Sequence, residues 1–301
     1  MNKHNYHDPV LLEPSISALI SDPNGIYVDA TFGGGGHARA ILDNLSLEGK
    51  LYAFDQDQDA IHNAFQDGRF TLIEANFKDL KRYLKLYGVE KVDGILADFG
   101  VSSHQFDAHD RGFSIRFQGP LDMRMDQQSN TTAEAVVNTY SVDQLTQLFK
   151  DFGEVKGAFR VAERIVEARQ SKMIVTTQAL IDVVKPLIPE RYLNQTLAQI
   201  FQAIRIEVNC ELEVIKAFLQ QSAEVLLPKG RLVCIAYHSL EDRLVKRFIR
   251  EGVFEGEAPQ DFFGNRSRPF KKVGQLIVPP KEEVKKNNRA RSAKLRIAEK
   301  R

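Results

Sequence analysis

Cysteine is scarce in this sequence. Among 301 residues there are only Cys210 and Cys234, which lie far apart and outside any Cys-x-x-Cys spacing. This scarcity argues against a disulfide framework and against a cysteine-based zinc site. We therefore expect no metal and a reducing, cytoplasmic setting.

Long hydrophobic runs are also missing. No apolar stretch approaches the roughly 20 residues that a helix needs to cross a bilayer, and residues 1–7 lack the apolar core of a signal peptide. No internal repeat or low-complexity tract is present. An apolar fraction of 43% and a charged fraction of 27% are ordinary for a globular protein. We expect a protein without a membrane-spanning segment, long enough for one large domain or two smaller ones.

The formal net charge of +1 conceals an asymmetry along the chain. Residues 261–301 contain 13 Lys and Arg against 4 Asp and Glu, a net charge of +9, so the preceding 260 residues sum to −8. One interpretation is a solvated basic tail. The other is a surface for the phosphates of a nucleic acid, because clustered cations release counterions from a polyanion.

Strand and helix patterns alternate in the first third of the chain. Apolar runs rich in β-formers occur at 26–32, 51–54, 70–73 and 92–97, with helical stretches between them near 38–47, 58–66 and 78–88. Such a series predicts a parallel sheet with right-handed crossovers. The fold class is therefore α/β.

The alternation stops near residue 107. A polar loop follows, and then helical periodicity to about residue 206, with apparent capping boxes at 131–134 and 141–144. We predict an inserted helical domain over 107–206, with a discontinuous α/β domain formed by 1–106 and 207–301.

Sheet-type pattern returns after this insert. A helix over 211–227 is expected to end at Pro228 and Gly230, ahead of a strand at 231–237. Ser239 is the expected cap of an amphipathic helix after that strand. Two further strands are predicted at 275–278 and 294–298.

The first strand runs into four consecutive glycines, Gly33–Gly36, before a helix that begins near His37. Strand, glycine loop and helix form the geometry in which backbone N–H groups at a helix N-terminus meet the polar end of a ligand. Glycine permits a close approach and a positive φ.

The spacing Gly33-x-Gly35-x-x-Ala38 fits the dinucleotide fingerprint, and Asp55 ends the next strand 20 residues after Gly35. A carboxylate in that position can accept hydrogen bonds from ribose hydroxyls. NAD and S-adenosylmethionine both contain an adenosine ribose, so these residues alone leave both cofactors open.

Further candidate residues follow the third and fourth strands. Phe77 could stack on an adenine or pack into the core, and Asp98 could serve a ligand or cap the following turn. Ser102, Ser103 and Gln105 come shortly after Asp98. In open α/β sheets, ligands bind beyond the carboxyl ends of the strands, where we expect these groups to converge.

Seven long motifs carry a resemblance. They are Thr31-Phe-Gly-Gly-Gly-Gly-His37, Asp98-Phe-Gly-Val-Ser-Ser-x-Gln105, Arg111-Gly-Phe-Ser114, Gly119-Pro-Leu-Asp-Met-Arg-Met-Asp126, Phe201-Gln-Ala-Ile-Arg-Ile-x-Val-Asn209, His238-Ser-Leu-Glu-Asp-Arg243 and Arg289-Ala-Arg-Ser292. Together they resemble the ribosomal RNA small-subunit methyltransferase H family over essentially the whole chain.

This resemblance implies a class I, Rossmann-like methyltransferase sheet that uses S-adenosylmethionine. It implies methylation of the exocyclic N4 of a cytidine in the decoding centre (P-site region) of 16S rRNA, within the small ribosomal subunit. The cofactor contacts that it implies are Gly35, Gly36, His37, Asp55, Phe77, Asp98 and Gln105. The helical insert would then recognise the substrate.

The reaction needs a group that accepts an N–H hydrogen bond from N4, so that the nitrogen lone pair points at the methyl group. Asp98 is the best candidate, with Ser102, Ser103 and His238 as secondary catalytic candidates. His238 could instead satisfy the turn before the Ser239 helix. Arg111 and Arg124 could form part of a lid or serve in salt bridges. The alternatives are an NAD-dependent oxidoreductase and a non-catalytic RNA-binding protein of ribosome assembly.

Overall fold

The computed structural model describes residues 9–258, 260, 262 and 266–301. The chain divides into two compact units, one formed by Met1–Gly100 with Leu212–Arg301 and the other by Val101–Glu211. The predicted insert, 107–206, is shorter at both ends than the second unit of the structure. A helix already begins at Ser103, and the last helix of the second unit continues to Asn209.

The first unit contains a seven-stranded sheet. Its strands are β1 (Ile26–Asp29), β2 (Lys50–Asp55), β3 (Phe70–Glu74), β4 (Val92–Asp98), β5 (Leu226–Ala236), β6 (Phe270–Ile277) and β7 (Lys294–Lys300). Their order is β3-β2-β1-β4-β5-β7-β6. The first five strands are parallel, and β7 is antiparallel to both β5 and β6. The predicted parallel α/β sheet is confirmed.

The strands are buried on both faces, which explains why they appear in the sequence as continuous apolar runs. On β1, Tyr27 and Val28 are both fully buried yet belong to different hydrophobic clusters, one on each side of the sheet. Ile95 and Leu96 of β4 divide in the same way. Alternate side chains therefore anchor helices on both faces.

The helices of the first unit are α1 (Leu12–Leu19), α2 (Gly36–Asn44), α3 (Gln58–Ile61), α4 (Leu80–Leu86), α11 (Glu211–Val225), α12 (Ser239–Glu251) and α13 (Lys281–Lys286), where α11 begins one residue before the unit boundary. The helix predicted over 58–66 is a single turn. Among the described residues, no helix is long and apolar enough to cross a membrane.

The prediction that Pro228 and Gly230 end a helix was wrong. The helix already ends at Val225, and both residues lie within β5. The register against β4 shifts between Val92 and Gly94, so that four residues bulge out between Leu226 and Arg231. A Cβ on Gly230 would lie 2.9 Å from the carbonyl oxygen of Asp93. Proline and glycine therefore mark an irregular strand here.

The second unit is helical, with α5 (Ser103–Asp107), α6 (Ala133–Thr139), α7 (Val142–Asp151), α8 (Ala158–Ser171), α9 (Thr177–Val184) and α10 (Leu193–Asn209). Its own core includes the fully buried Leu145, Phe149 and Ile165. The capping box at Ser141 and Gln144 is confirmed. The one predicted at Thr131 was wrong by a residue, because the Thr132 side chain accepts from the N–H of Ala135.

Candidate active site

The glycine loop connects β1 to α2 and needs glycine for two reasons. Gly33 and Gly35 have φ of +49° and +75°, a region that side chains disfavour. A Cβ on Gly35 would lie 2.9 Å from Phe65, and one on Gly36 would lie 2.3 Å from Pro9. The loop is therefore packed closely on the rest of its unit, with Gly35 as the N-cap of α2.

Asp55 ends β2 and binds the glycine loop. Its Oδ2 accepts from the N–H of Gly33 at 2.7 Å, and its Oδ1 accepts from the N–H of Asp57 at 2.9 Å. Burial raises the pKa of this carboxyl to about 6. A carboxylate has about four acceptor positions, so two backbone bonds leave capacity for the hydroxyls of a ligand.

Asp29 is a residue that the sequence prediction missed. It ends β1 fully buried, and its Oδ1 accepts from the N–H of Thr31 at 3.0 Å. This bond turns the chain, so the strand ends at Asp29 and not at Phe32. Within the described residues, its buried Oδ2 has no hydrogen-bond partner, and burial raises its pKa to about 7. The sequence did contain a signal for this residue, because Asp29 is a polar residue that ends an apolar run.

Asp98 ends β4, next to β1. Its backbone N–H donates to the Thr31 hydroxyl at 2.7 Å. Its Oδ1 is buried and has no partner among the described residues, while 22% of the side-chain surface remains exposed. Burial raises the pKa of Asp98 to about 8. The residue does not cap the following helix, since Ser102 does so.

His37 lies in the first turn of α2, 6% exposed. Its Nε2 is 3.2 Å from the carbonyl oxygen of Val10, and its Nδ1 is 3.8 Å from Oδ2 of Asp98. Burial lowers the pKa of the imidazole to about 4, so the ring is neutral at pH 7. Donation from Nε2–H to Val10 leaves Nδ1 as an acceptor beside Asp98.

Phe77 opens a short 3-10 turn after β3. Its ring centroid lies 5.3 Å from that of Phe218 and 6.1 Å from that of Phe99. These contacts support the core-packing interpretation. Because the ring is only partly buried, part of its surface is left for a ligand.

Ser102 and Gln105 belong to the second unit, where they start α5. The Ser102 hydroxyl accepts from the N–H of Gln105 at 3.1 Å, and Oε1 of Gln105 accepts from the N–H of Ser102 at 3.0 Å. This reciprocal capping box is a structural role that the prediction did not consider, although Ser-x-x-Gln is its sequence signature.

His238 is the N-cap of α12, so the prediction that Ser239 caps this helix was wrong. Its Nδ1 faces the N–H of Glu241 at 3.5 Å, and its Nε2 lies 3.1 Å from Oε1 of that residue. The imidazole replaces the expected serine hydroxyl as acceptor, and Glu241 completes the capping box. The geometry supports the turn-satisfying interpretation of His238.

Contacts in the loop between α5 and α6 support the structural interpretation of Arg111 and Arg124, in which they form salt bridges. Nη2 of Arg111 donates to the carbonyl oxygen of Arg124 at 2.9 Å, and Arg124 forms two hydrogen bonds of 2.8 Å to the Asp122 carboxylate. Met123 is fully buried with φ of +60°. These contacts favour salt bridges and packing over a mobile lid.

The basic C-terminal segment contributes both paired and exposed cations. Nε of Arg296 donates to Asp242 at 2.6 Å, and Nζ of Lys294 lies 3.4 Å from the same carboxyl. Other basic side chains of this segment are exposed, namely those of Lys271, Lys272, Lys281, Lys285, Lys286, Arg291 and Arg301.

The carboxyl ends of β1, β2 and β4 thus carry three acids, Asp29, Asp55 and Asp98, around one glycine loop. We call this set the acidic edge. An acceptor-rich site suits a ligand that offers hydroxyl donors and positive charge, as adenosine, ammonium and sulfonium groups do. It suits the anionic pyrophosphate of a dinucleotide poorly. This set of hydrogen-bond acceptors therefore fits S-adenosylmethionine better than NAD.

Comparisons with known proteins agree with this chemistry. A model of the MraW methylase family matches residues 4–301. The chain is 59% identical over 295 residues to Ribosomal RNA small subunit methyltransferase H of Flavobacterium johnsoniae, with 98% of each chain covered. It is 53% identical over 300 residues to the protein of that name from Phocaeicola vulgatus, with 99% of each covered.

Solved structures are more distant. An rRNA methylase from Streptococcus thermophilus aligns with 95% of this chain and 90% of its own, at a TM-score of 0.40 and 14% identity. That likeness is too weak to add to the sequence relationships.

Proposed function

The chain belongs to the MraW methylase family, and from this we propose that it methylates the exocyclic N4 of a cytidine in the decoding centre of 16S rRNA, within the small ribosomal subunit. It is an S-adenosylmethionine-dependent rRNA methyltransferase. Support for the small-subunit substrate comes from the names of its relatives, and the choice of N4 rests on the motif resemblance. The observation that carries the chemistry is the acidic edge around the glycine loop.

The cofactor site that we propose consists of Gly35, Gly36, His37, Asp55, Phe77, Asp98 and Gln105. When bound, the cofactor supplies an electrophilic methyl group on a sulfonium. Asp55 would accept hydrogen bonds from the ribose hydroxyls, and the exposed part of Phe77 would contact the adenine. The buried Oδ2 of Asp29 and Oδ1 of Asp98 lack partners among the described residues, and a cationic ligand would compensate for their burial.

Asp98 is our proposed acceptor for an N–H of the target amine. The lone pair of cytosine N4 is delocalised into the ring, so the enzyme must orient the amine toward the methyl group. Holding the reactants in this way can contribute roughly 7–11 kcal/mol to lowering the barrier. The carboxylate form is required for this role, and the positive charge of the cofactor favours it. Ser102 and His238, which both serve as helix caps, remain secondary candidates.

The second unit and the exposed lysines would recognise the RNA. We propose that residues 101–211 contact the folded rRNA around the target base, which must be unstacked to be reached. Lys271, Lys272, Lys285 and Lys286 would bind phosphates, because exposed cations without a carboxylate partner neutralise a polyanion most effectively.

Methyl transfer to RNA from a strain that lacks the enzyme tests this proposal. Labelled S-adenosylmethionine is incubated with 30S particles or with 16S rRNA, and mass spectrometry of the RNA locates the modified position and atom. We expect transfer to N4 of one cytidine by the wild type and none by Asp98→Ala. Asp43→Asn, an exposed carboxyl outside the site, is the matched control and should retain activity.

Two results would contradict the proposal. A folded protein that binds the cofactor but methylates neither substrate would not be this enzyme, and a non-catalytic RNA-binding protein would then be the better explanation. Methylation of another atom would be consistent with an rRNA methyltransferase but would contradict N4 as the methylated atom. Thermal-shift measurements with S-adenosylmethionine and NAD compare the cofactors directly, since a ligand that binds the native state raises Tm.

A further inference from the structure

The segment that follows α3 folds back onto the glycine loop. Nδ2 of Asn63 donates to the carbonyl oxygen of Gly33 at 3.1 Å. The N–H of Gly33 donates in turn to Oδ2 of Asp55 at 2.7 Å. Both polar groups of the Gly33 backbone are therefore held by side chains, one at the end of β2 and the other just after α3.

The connection between these two side chains is itself fixed by hydrogen bonds. Oδ1 of Asp55 accepts from the N–H of Asp57 at 2.9 Å, and Asp57 is the N-cap of α3. After α3, the N–H of Asn63 donates to the carbonyl oxygen of Ala60 at 3.0 Å. The chain is thus bonded at both ends of α3, which limits how far the Asn63 side chain can move from Gly33.

Aromatic packing brings the same segment onto the loop a second time. The Phe65 ring lies edge-on to that of Phe32, with centroids 5.6 Å apart, and a Cβ on Gly35 would lie 2.9 Å from it. The guanidinium carbon of Arg39, on α2, lies 3.9 Å from the centroid of the Phe65 ring, where a cation and a ring attract each other. Residues 61–65 therefore contact the loop through one hydrogen bond and one ring.

The bond from Asn63 also sets the direction of the next backbone N–H. The peptide between Gly33 and Gly34 is planar and trans, so its carbonyl and its N–H point in opposite directions. Holding the carbonyl toward Asn63 directs the N–H of Gly34 to the other side. Gly34 is exposed, and among the described residues its N–H has no backbone partner. It is a donor for an acceptor on a ligand.

We propose that Asn63 is a positioning residue for the cofactor: it holds the Gly33–Gly34 peptide in the orientation that binds S-adenosylmethionine. This inference rests on the proposed cofactor site. Four consecutive glycines have high backbone freedom, and ordering them when a ligand binds costs entropy. An anchor that orders the loop beforehand removes part of that cost and so increases affinity.

Cofactor affinity tests the proposal without RNA. Asn63→Leu keeps the approximate size of the side chain and removes the donor, and isothermal titration calorimetry measures the Kd of S-adenosylmethionine. We expect about fivefold weaker binding, equivalent to one hydrogen bond. Asn44→Leu is the matched control. The Asn44 side chain also donates to a backbone carbonyl, that of Ala40 at 2.9 Å, but it lies at the far end of α2, and its loss should leave the Kd unchanged.

Steady-state kinetics separate positioning from general support of the fold. Asn63→Leu should raise the KM for the cofactor about fivefold, while kcat at saturating cofactor and the KM for 30S particles stay within about twofold of the wild type. A variant that was only less stable would lower kcat per total protein and leave the KM for the cofactor unchanged. Asn63→Gln retains an amide donor on a longer side chain and should recover most of the affinity. Asn63→Ala serves if the leucine variant does not fold.

Asp55→Ala distinguishes failure of this inference from failure of the proposed cofactor site. If Asp55→Ala weakens binding but the Asn63 variants bind as tightly as the wild type, the site stands and the role of Asn63 is overturned. If Asp55→Ala also binds normally, the glycine loop is not the cofactor site and both proposals fail. Affinities that change as expected in a protein that methylates no cytidine would support the role of Asn63 and contradict the N4 assignment.

Discussion

Two kinds of carboxylate occur in the first unit, and they differ in how the protein treats their charge. Asp242 is 12% exposed and binds both Arg296 and Lys294, which lower its pKa. Asp98 faces a neutral histidine and two other acids, and its pKa is raised to about 8. Asp242 therefore stabilises the fold, whereas the burial of Asp98 lowers the stability of the protein.

That difference supports the proposed site independently of any single motif. Structural carboxylates are neutralised by neighbours within the chain, whereas a site that awaits a cationic ligand leaves its acids uncompensated. The acidic edge has this character at Asp29, Asp55 and Asp98.

Asp98→Asn should decrease methyl transfer by at least about 100-fold. The amide keeps the size of the side chain but cannot provide the charge that accepts the N–H of the target amine. Single-turnover assays with 30S particles measure the loss, with Asp43→Asn as the control. Transfer at the wild-type rate would remove Asp98 from the mechanism.

Asp242→Ala should lower the free energy of unfolding by about 2 kcal/mol, between the values for exposed and buried ion pairs. The substitution leaves Arg296, 14% exposed, without its carboxylate partner. Urea unfolding measures the change. Glu213→Ala, which breaks an exposed pair with Lys216, should cost much less. Equal effects would mean that the two pairs do not differ as their burial indicates.

The stability of the ligand-free protein should fall as the pH rises from about 5 to 8. Asp98 and Asp29 have folded-state pKa values of about 8 and about 7, above the ordinary 3.8. Their contribution is therefore full below about pH 4 and is lost progressively as the pH rises to the folded-state values, because in that range only the unfolded state ionises. Asp242 and Asp122 have lowered pKa values, so they stabilise the folded protein above about pH 4. Their contribution to its stability is lost only as the pH falls below that value.

Asp98→Asn should therefore be more stable than the wild type at pH 8, by several degrees in Tm, with a smaller difference at pH 5. Thermal unfolding monitored by circular dichroism at the two pH values measures this. A difference that does not change with pH would show that Asp98 titrates normally in the folded protein.

Lys285→Gln with Lys286→Gln should weaken rRNA binding by a few fold and reduce its salt dependence, because two phosphate-neutralising charges are lost. Both lysines are exposed. Fluorescence anisotropy at several salt concentrations measures the slope. Lys216→Gln, whose lysine is paired with Glu213, provides the control. An unchanged slope would place the RNA surface elsewhere.

Local sequence pattern was sufficient to predict the sheet and part of the proposed site. The four strands predicted before residue 100 all form, because buried parallel strands require continuous apolar runs. Asp55 and Asp98 could be proposed as site residues because each closes such a run. Helix caps were less predictable: Thr132 and His238 replaced the expected Thr131 and Ser239, since a shift of one residue depends on which side chain reaches the free N–H.

The amino-acid sequence by itself determined the parallel sheet, the glycine loop and the family. Apolar periodicity and glycine act over a few residues, and the seven motifs are specific without any coordinates. Only the tertiary structure decided the electrostatics. The bond from the N–H of Asp98 to the Thr31 hydroxyl joins residues 67 positions apart in the chain, and the burial that raises the pKa of Asp29 exists only in the folded protein. Desolvation and charge pairing depend on what packs together in three dimensions, which no local pattern encodes.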